Sequence, residues 1–150
     1  DMVKDVLEKQ AGYGKLPEEY IPLVSVNKVI NFLNSSLASR MMYAAKEGRL
    51  YKEQPFVYGM KADRLNKEFP ATETVLIQGI IDAYFEEDDK VVLLDYKTDV
   101  IASEDALVKR YQVQLDYYAK VLEKLLSKPV EDIVIYSFYF EKEIKLQKSK

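Results

Sequence analysis

Residues 77–99 read IQGIIDAYFEEDDKVVLLDYKTD, and the fold turns on how this stretch pairs with itself. Two β-branched and aliphatic runs, 74–85 and 90–98, flank an acidic turn at 86–89, which is the pattern of a β-hairpin. Each run carries one carboxylate where an apolar residue belongs: Asp82 in the first, Asp95 in the second. If Asp88 and Asp89 form a two-residue tip, Glu87 faces Lys90. By the same count Asp82 then faces Asp95, with Cβ atoms about 4.5–5.5 Å apart. A four-residue tip leaves the pair diagonal on one face, and an odd-length tip requires a bulge to keep them together. Lys97, two residues past Asp95, shares its face because side chains alternate along a strand.

Opposed carboxylates repel unless something cationic lies between them. A divalent metal is the economical answer, and Mg²⁺ favours carboxylate oxygens completed by water and substrate phosphate. Mn²⁺ would substitute for it. Such an ion polarises a phosphodiester and lowers the pKa of its water. Lys97 would stabilise charge on the phosphate or help orient that water. The competing reading leaves the aspartates exposed near the turn, with Lys97 merely paired to one of them.

Composition narrows the chemistry. A chain of 150 residues, 48% hydrophobic and 31% charged, is one domain's worth of ordinary globular protein. No cysteine and no histidine are present, so thiolate sites and imidazole acid–base catalysis are excluded within these residues. Any metal is hard and oxygen-bound. The net charge of −3 argues against a strong stand-alone DNA binder but not against a module to which a larger machine delivers DNA. The start, DMVKDVLEKQ, has no signal-peptide shape and looks like a helix already under way, so a fragment of a longer chain is expected.

Helical spacing of Val3, Val6 and Leu7 precedes a loop with Gly12, Gly14, Pro17 and Pro22. Ser25 can cap a helix whose face is Val26, Val29, Ile30 and Leu33, with Phe32 beside it. After a break at Ser35-Ser36 a second helix spans 37–46 and ends at Gly48. Arg40 on it is either a phosphate contact or a solvated cation. Residues 50–60 form a strand that Pro55 marks as an edge or a start. Glu53 there is a third ligand or a structural hydrogen-bond partner. Residues 61–71 read as a connecting loop. Beyond the hairpin, Ser103 caps a helix with Glu104 and Asp105 in its first turn. Its buried stripe is Leu107, Tyr111, Leu115, Tyr118, Leu122 and Leu125. Gln114 and Tyr118 project from one face, and a glutamine on such a stripe needs a partner or an edge position open to solvent. Pro129 ends the helical region and 133–140 is a further strand, parallel to its predecessor across the crossover. The lysine-rich tail, 141–150, is expected to be frayed.

Three ordered motifs then stand out: GIID at 79–82, LLDYK at 93–97, and Gln114 with Tyr118. Together they resemble the PD-(D/E)XK nucleases of the RecB-like branch, within it the C-terminal nuclease domains of AddA-type helicase–nucleases. The segments FLNSSLASRMMYAA and YKEQPFVYG resemble those domains too, so the likeness covers roughly residues 26–140. It implies an α/β, restriction-endonuclease-like fold: a mixed central sheet flanked by helices, with a helical lead-in at 1–48, a core at 49–140 and a polar tail at 141–150. It further implies an Mg²⁺-dependent DNA exonuclease module of a bacterial, cytoplasmic helicase–nuclease that processes double-strand breaks for recombinational repair. Asp82, Asp95, Lys97, Gln114 and Tyr118 are then catalytic, and Asp82, Asp95 and the Tyr96 backbone carbonyl hold the metal. DNA is contacted by Tyr111, Gln114 and Arg40. Any ATP is handled by helicase motifs outside these residues, and the partner is an AddB-like protein. The family also carries a histidine or acidic ligand on an upstream helix. This sequence has no histidine, so that helix is expected to precede it. The rival is a noncatalytic DNA-binding or scaffold module with the nuclease fold. A Cas4-type exonuclease is disfavoured, since that group carries a cysteine-ligated cluster.

Overall fold

The computed structural model describes residues 25–148, so the helical spacing near the N-terminus and the Gly/Pro-rich loop after it lie outside the described residues. In chain order the elements are α1 (Val26–Leu33), α2 (Ser36–Lys46), β1 (Leu50–Lys61), α3 (Ala62–Leu65), β2 (Thr74–Glu87), β3 (Lys90–Lys97), α4 (Glu104–Leu126), β4 (Val130–Ser137) and β5 (Lys142–Leu146). The strands make one mixed sheet in that order: β1/β2, β2/β3 and β4/β5 antiparallel, β3/β4 parallel.

Asp88 and Asp89 form the tip of the β2–β3 hairpin, with φ of 50° and 60°. Two successive left-handed residues match the right-handed twist of the strands, and aspartate tolerates that conformation better than most residues. The ladder runs from Glu87↔Lys90 to Ala83↔Leu94, the register a two-residue tip requires. The acidic tip is held from both sides. Lys128 Nζ lies 2.6 Å from Glu86, and Arg40 donates to Glu87 through Nε at 3.0 Å and Nη2 at 2.7 Å.

The capping residues act as their chemistry dictates. Ser25, Ser35 and Ser103 accept from backbone N–H groups in the first turns of α1, α2 and α4. Gly48, at φ 70°, ends α2. α1 and α2 cover one sheet face, where Val29, Phe32, Leu37 and Met41 pack on Phe85, Leu94, Tyr96, Tyr136 and Phe138. α4 covers the other, with Leu107, Leu115, Val121 and Leu122 against Ile81, Leu93, Ile133 and Ile135.

Beyond Ala83 the β2–β3 ladder stops, while β1 and β2 stay paired from Gln54↔Ile81 to Lys61↔Thr74. This two-stranded arm crosses α4. Phe56 packs edge-on against Tyr118 with ring centres 5.0 Å apart.

Four expectations are corrected. The 61–71 connection contains the one-turn helix α3. Lysine-rich residues in the tail form β5, which buries Ile144 and Leu146 while its lysines face out, as suits an edge strand. The last long strand is β4, which starts and ends three residues earlier than 133–140. Leu125 is 53% exposed, and Ala119 and Val121 line α4's buried face in its place.

Candidate active site

Continuing the hairpin register past Ala83↔Leu94 places Asp82 opposite Asp95, at a non-hydrogen-bonded position where facing side chains come closest. The next rung would give the Tyr96 N–H to the Ile81 carbonyl. Instead the Tyr96 N–H donates to Asp82 Oδ2 at 2.9 Å, so the carboxylate itself takes up the amide where the strands part. Asp95 follows Val91 and Leu93 on the α4 face and is only 8% exposed. The Tyr96 ring goes to the other face, with its centre 5.6 Å from that of Phe32, leaving only Tyr96 backbone at the site.

The two carboxyl groups lie close enough to share a hydrogen bond. Burial, then the charge of Asp95 and that shared bond, push the Asp82 pKa up to about 7, against the pull of the Tyr96 N–H and Lys97. Lys97 Nζ stands 2.9 Å from Asp95 Oδ2, an ion pair at hydrogen-bonding distance. Burial lowers the Lys97 pKa, but Asp95, Tyr111 and Asp82 outweigh it and hold it above its ordinary value. The ammonium also sits 3.9 Å from the centre of the Tyr111 ring.

Two facing carboxyls with a single ammonium beside them, one with its pKa raised to about 7, carry one more negative charge than Lys97 balances when both ionise. The donor set is oxygen only, which fits a hard ion such as Mg²⁺ or Mn²⁺. Among the described residues no group of three or more Asp, Glu, His or Cys gathers, so a metal here would have at most these two carboxylates from that set. Glu53 falls between the Lys52↔Ala83 and Gln54↔Ile81 pairs, across β1 from Asp82, yet it is exposed with φ 48° and joins no such group.

The remaining predicted residues take other places. Tyr111 donates its hydroxyl to Asp99 Oδ2 at 2.8 Å, so it braces Lys97 instead of standing free for DNA. Arg110 Nη1 reaches the same oxygen at 2.8 Å. Although burial works the other way, those two bonds hold the Asp99 pKa below its ordinary value. Asp99 and Arg110 were not singled out from the sequence. The only signal was Asp99's position just past the Asp95–Lys97 motif. Gln114 is exposed, and its amide donates to Tyr118 Oη at 3.0 Å. Arg40, expected at phosphate, lies on α2 across the sheet and is engaged by Glu87, with Asp132 3.7 Å away.

Tyr118 explains the glycine of GIID. A Cβ at Gly79 would stand 2.3 Å from Tyr118 Oη and 2.8 Å from its Cζ. Gly79→Ala is therefore expected to cost about 1–3 kcal/mol by overpacking. Adding Tyr118→Leu should recover most of the loss in a urea melt, and failure of that rescue would show that the clash is not the cause.

Metal and pH should act on stability together. Folding raises the Asp82 pKa from 3.8 to about 7, so between those values the folded state holds a proton that the unfolded chain has released. This contribution is present in full below pH 4 and is lost as pH rises toward 7, at up to about 1.4 kcal/mol per unit. The metal-free melting temperature should thus fall from pH 5 to pH 8, and millimolar Mg²⁺ should restore it at pH 8. Asp95→Ala should flatten both responses. A wild type whose melting ignores Mg²⁺ at pH 8 would contradict the site.

A model of the PD-(D/E)XK nuclease superfamily matches residues 5–150. The chain is similar to clostridial proteins named as ATP-dependent helicase/nuclease subunits. It is 37% identical over 155 residues to that of Clostridium perfringens strain SM101, covering 99% of this chain and 12% of the relative. The Clostridium novyi protein is 38% identical over 138 residues, 88% of this chain and 11% of the relative. The Lachnoclostridium phytofermentans protein is 33% identical over 180 residues, 97% and 13%. The chain thus spans about one-eighth of the length of these relatives. Among the described residues no helix is long and apolar enough to cross a membrane.

Proposed function

The chain belongs to the PD-(D/E)XK nuclease superfamily, and from that premise we propose that its hairpin hydrolyses DNA phosphodiesters with a divalent cation, Mg²⁺ or Mn²⁺. The observation that carries this reading is the pairing of Asp82 with Asp95 in the continued hairpin register, with the Lys97 ammonium 2.9 Å from Asp95 Oδ2.

When bound, the cation would supply Lewis-acid activation of the scissile phosphate and of the attacking water. Asp82, Asp95 and the Tyr96 carbonyl are the oxygens that would hold it. The Tyr96 N–H fixes the Asp82 carboxyl, so its orientation is set by backbone before any ligand arrives. Binding requires Asp82 to give up the proton that burial and Asp95 favour, which makes affinity rise through neutral pH. Lys97, charged and braced by Tyr111, is placed to meet a non-bridging oxygen as negative charge grows there. Asp99 and Arg110 hold the Tyr111 ring in that position. Gln114 and Tyr118 act one step away: they seat α4 against Gly79 and so set the distance between helix and hairpin.

The similarity to helicase/nuclease subunits supports a place as the exonuclease module of a larger DNA-processing chain acting on double-strand breaks, with an AddB-like partner. The test is digestion of linear DNA by the chain with and without Mg²⁺. Metal-dependent cutting that fails in Asp95→Asn supports the reading. Intact DNA binding without metal-dependent cutting points to the noncatalytic alternative.

A further inference from the structure

We propose that the arm, α3 and the C-terminal half of α4 form a cationic trough that grips the backbone of single-stranded DNA on one side of the cleaved bond. This rests on the nuclease reading above and adds where the rest of the strand lies.

The trough is a cavity of about 310 Å³ whose wall includes Lys61, Arg64, Lys120 and Lys124, with Tyr58 and Met60 between them. Among the described residues no carboxylate lines it. The four cations are exposed, and among the described residues none of them is ion-paired. Elsewhere the pattern is mixed: Arg40, Lys90, Lys97, Arg110, Lys128, Lys142, Lys145 and Lys148 have carboxylate partners, whereas Lys28, Lys46, Arg49, Lys67 and Lys109 form no salt bridge among the described residues, so what marks the trough is four such cations around one concavity. In a chain of net charge −3, four unneutralised cations around one concavity suit a polyanion.

The trough lies further along α4 from the active site and about half a turn round the helix from Tyr111. Tyr111 at the site, Tyr118 over Gly79, and Lys120 and Lys124 in the trough follow one another along α4. At 1.5 Å per residue, Lys120 and Lys124 lie about 14 and 20 Å along the axis from Tyr111. A strand that keeps the stacked rise of about 3.4 Å per phosphate covers that axial distance in roughly four to six nucleotides, and passing round α4 takes more. Tyr58, half-buried on the arm, offers a ring face on which a base can stack. A cavity of about 310 Å³ takes phosphates and a base, not a duplex.

The experiment is fluorescence anisotropy of the full chain in EDTA with an oligothymidylate of about 20 nucleotides, titrated between about 50 and 200 mM salt. Lys61→Gln/Arg64→Gln and Lys120→Gln/Lys124→Gln should each weaken binding about tenfold and lower the log–log salt slope by about 1.4, at about 0.7 per lost phosphate contact. Lys120→Arg/Lys124→Arg, which keeps the charges, should bind as the parent does. Lys46→Gln/Lys67→Gln removes as much charge from exposed positions outside the trough and should stay within about twofold of the parent. Equal losses in that control, or none in the trough pairs, would overturn the proposal. An equal loss for a blunt duplex probe would overturn its restriction to single strands. If the parent cuts DNA while the trough pairs bind normally, the trough fails and the nuclease reading stands. If the trough pairs lose binding but the parent never cuts with Mg²⁺, the nuclease reading fails instead.

Discussion

Lys97→Ala is expected to slow Mg²⁺-dependent DNA hydrolysis by about 10²–10³, the cost of removing one preorganised group from developing negative charge. Asp95→Asn should lose at least as much, because it removes an anchor of the cation as well as a charge. Lys97 is the sharper probe. Its ammonium is braced by Tyr111 and paired to Asp95, and neither contact supports the hydrophobic core. The loss should therefore appear in kcat, with melting temperature nearly unchanged in the presence of Mg²⁺. Lys97→Arg should recover little, because a planar guanidinium does not replace a compact ammonium over an aromatic ring at 3.9 Å. Tyr111→Phe keeps the ring and loses only the bond to Asp99, so its effect should be smaller than that of Lys97→Ala. If Lys97→Ala cuts as fast as the wild type, the hairpin has no catalytic role.

Phe32→Ala should produce the largest loss of stability, about 3–5 kcal/mol for a fully buried aromatic truncated in the core. Phe32 is wholly buried, and its ring packs against Tyr96, Tyr136 and Phe138 with centroid separations of 5.6, 4.7 and 5.9 Å. Among the described residues, α1 is capped by Ser25 at one end and leads directly into α2 at the other. The expected drop in melting temperature is about 6–20 °C for a domain of this size. The same substitution should reach the active site, since Tyr96 presents its ring to Phe32 and its N–H to Asp82. A Phe32→Ala variant should thus bind Mg²⁺ more weakly than the parent even at temperatures where it is folded. A loss below about 1 kcal/mol would show that α1 is not docked as described, since such truncations cost several times more.

The hairpin was legible because everything that specifies it is local. A two-aspartate tip between β-branched runs fixes the register, and the register alone sets Asp82 opposite Asp95. The helix caps were legible for the same reason. What the sequence hid was set by contacts between distant segments. Arg40 looks like a surface cation until α2 is laid beside Glu87, 47 residues away. Gln114 belongs to a readable stripe, yet its place at the edge of that stripe depends on how α4 is rolled on the sheet. Tyr118 settles that roll by packing on Gly79. Asp99 and Arg110 carried no sequence signal for their contact because their meeting requires the β3–α4 connection to fold back over Tyr111. β5 was missed for lack of apolar residues: in KEIKL only Ile144 and Leu146 reach the core, and the charged residues around them resemble a frayed tail.

Anomalous diffraction from crystals of the chain soaked in Mn²⁺ would locate the cation itself. A single peak is expected on the α4 face of the sheet, within about 2.0–2.4 Å of one oxygen from each of Asp82 and Asp95, the range of short and moderately long hard-cation bonds. It should vanish in Asp95→Asn crystals soaked in parallel. A wild-type peak bound elsewhere, or no peak between the two carboxylates at millimolar Mn²⁺ and pH 8, would contradict the assignment of this hairpin as a metal-dependent nuclease site.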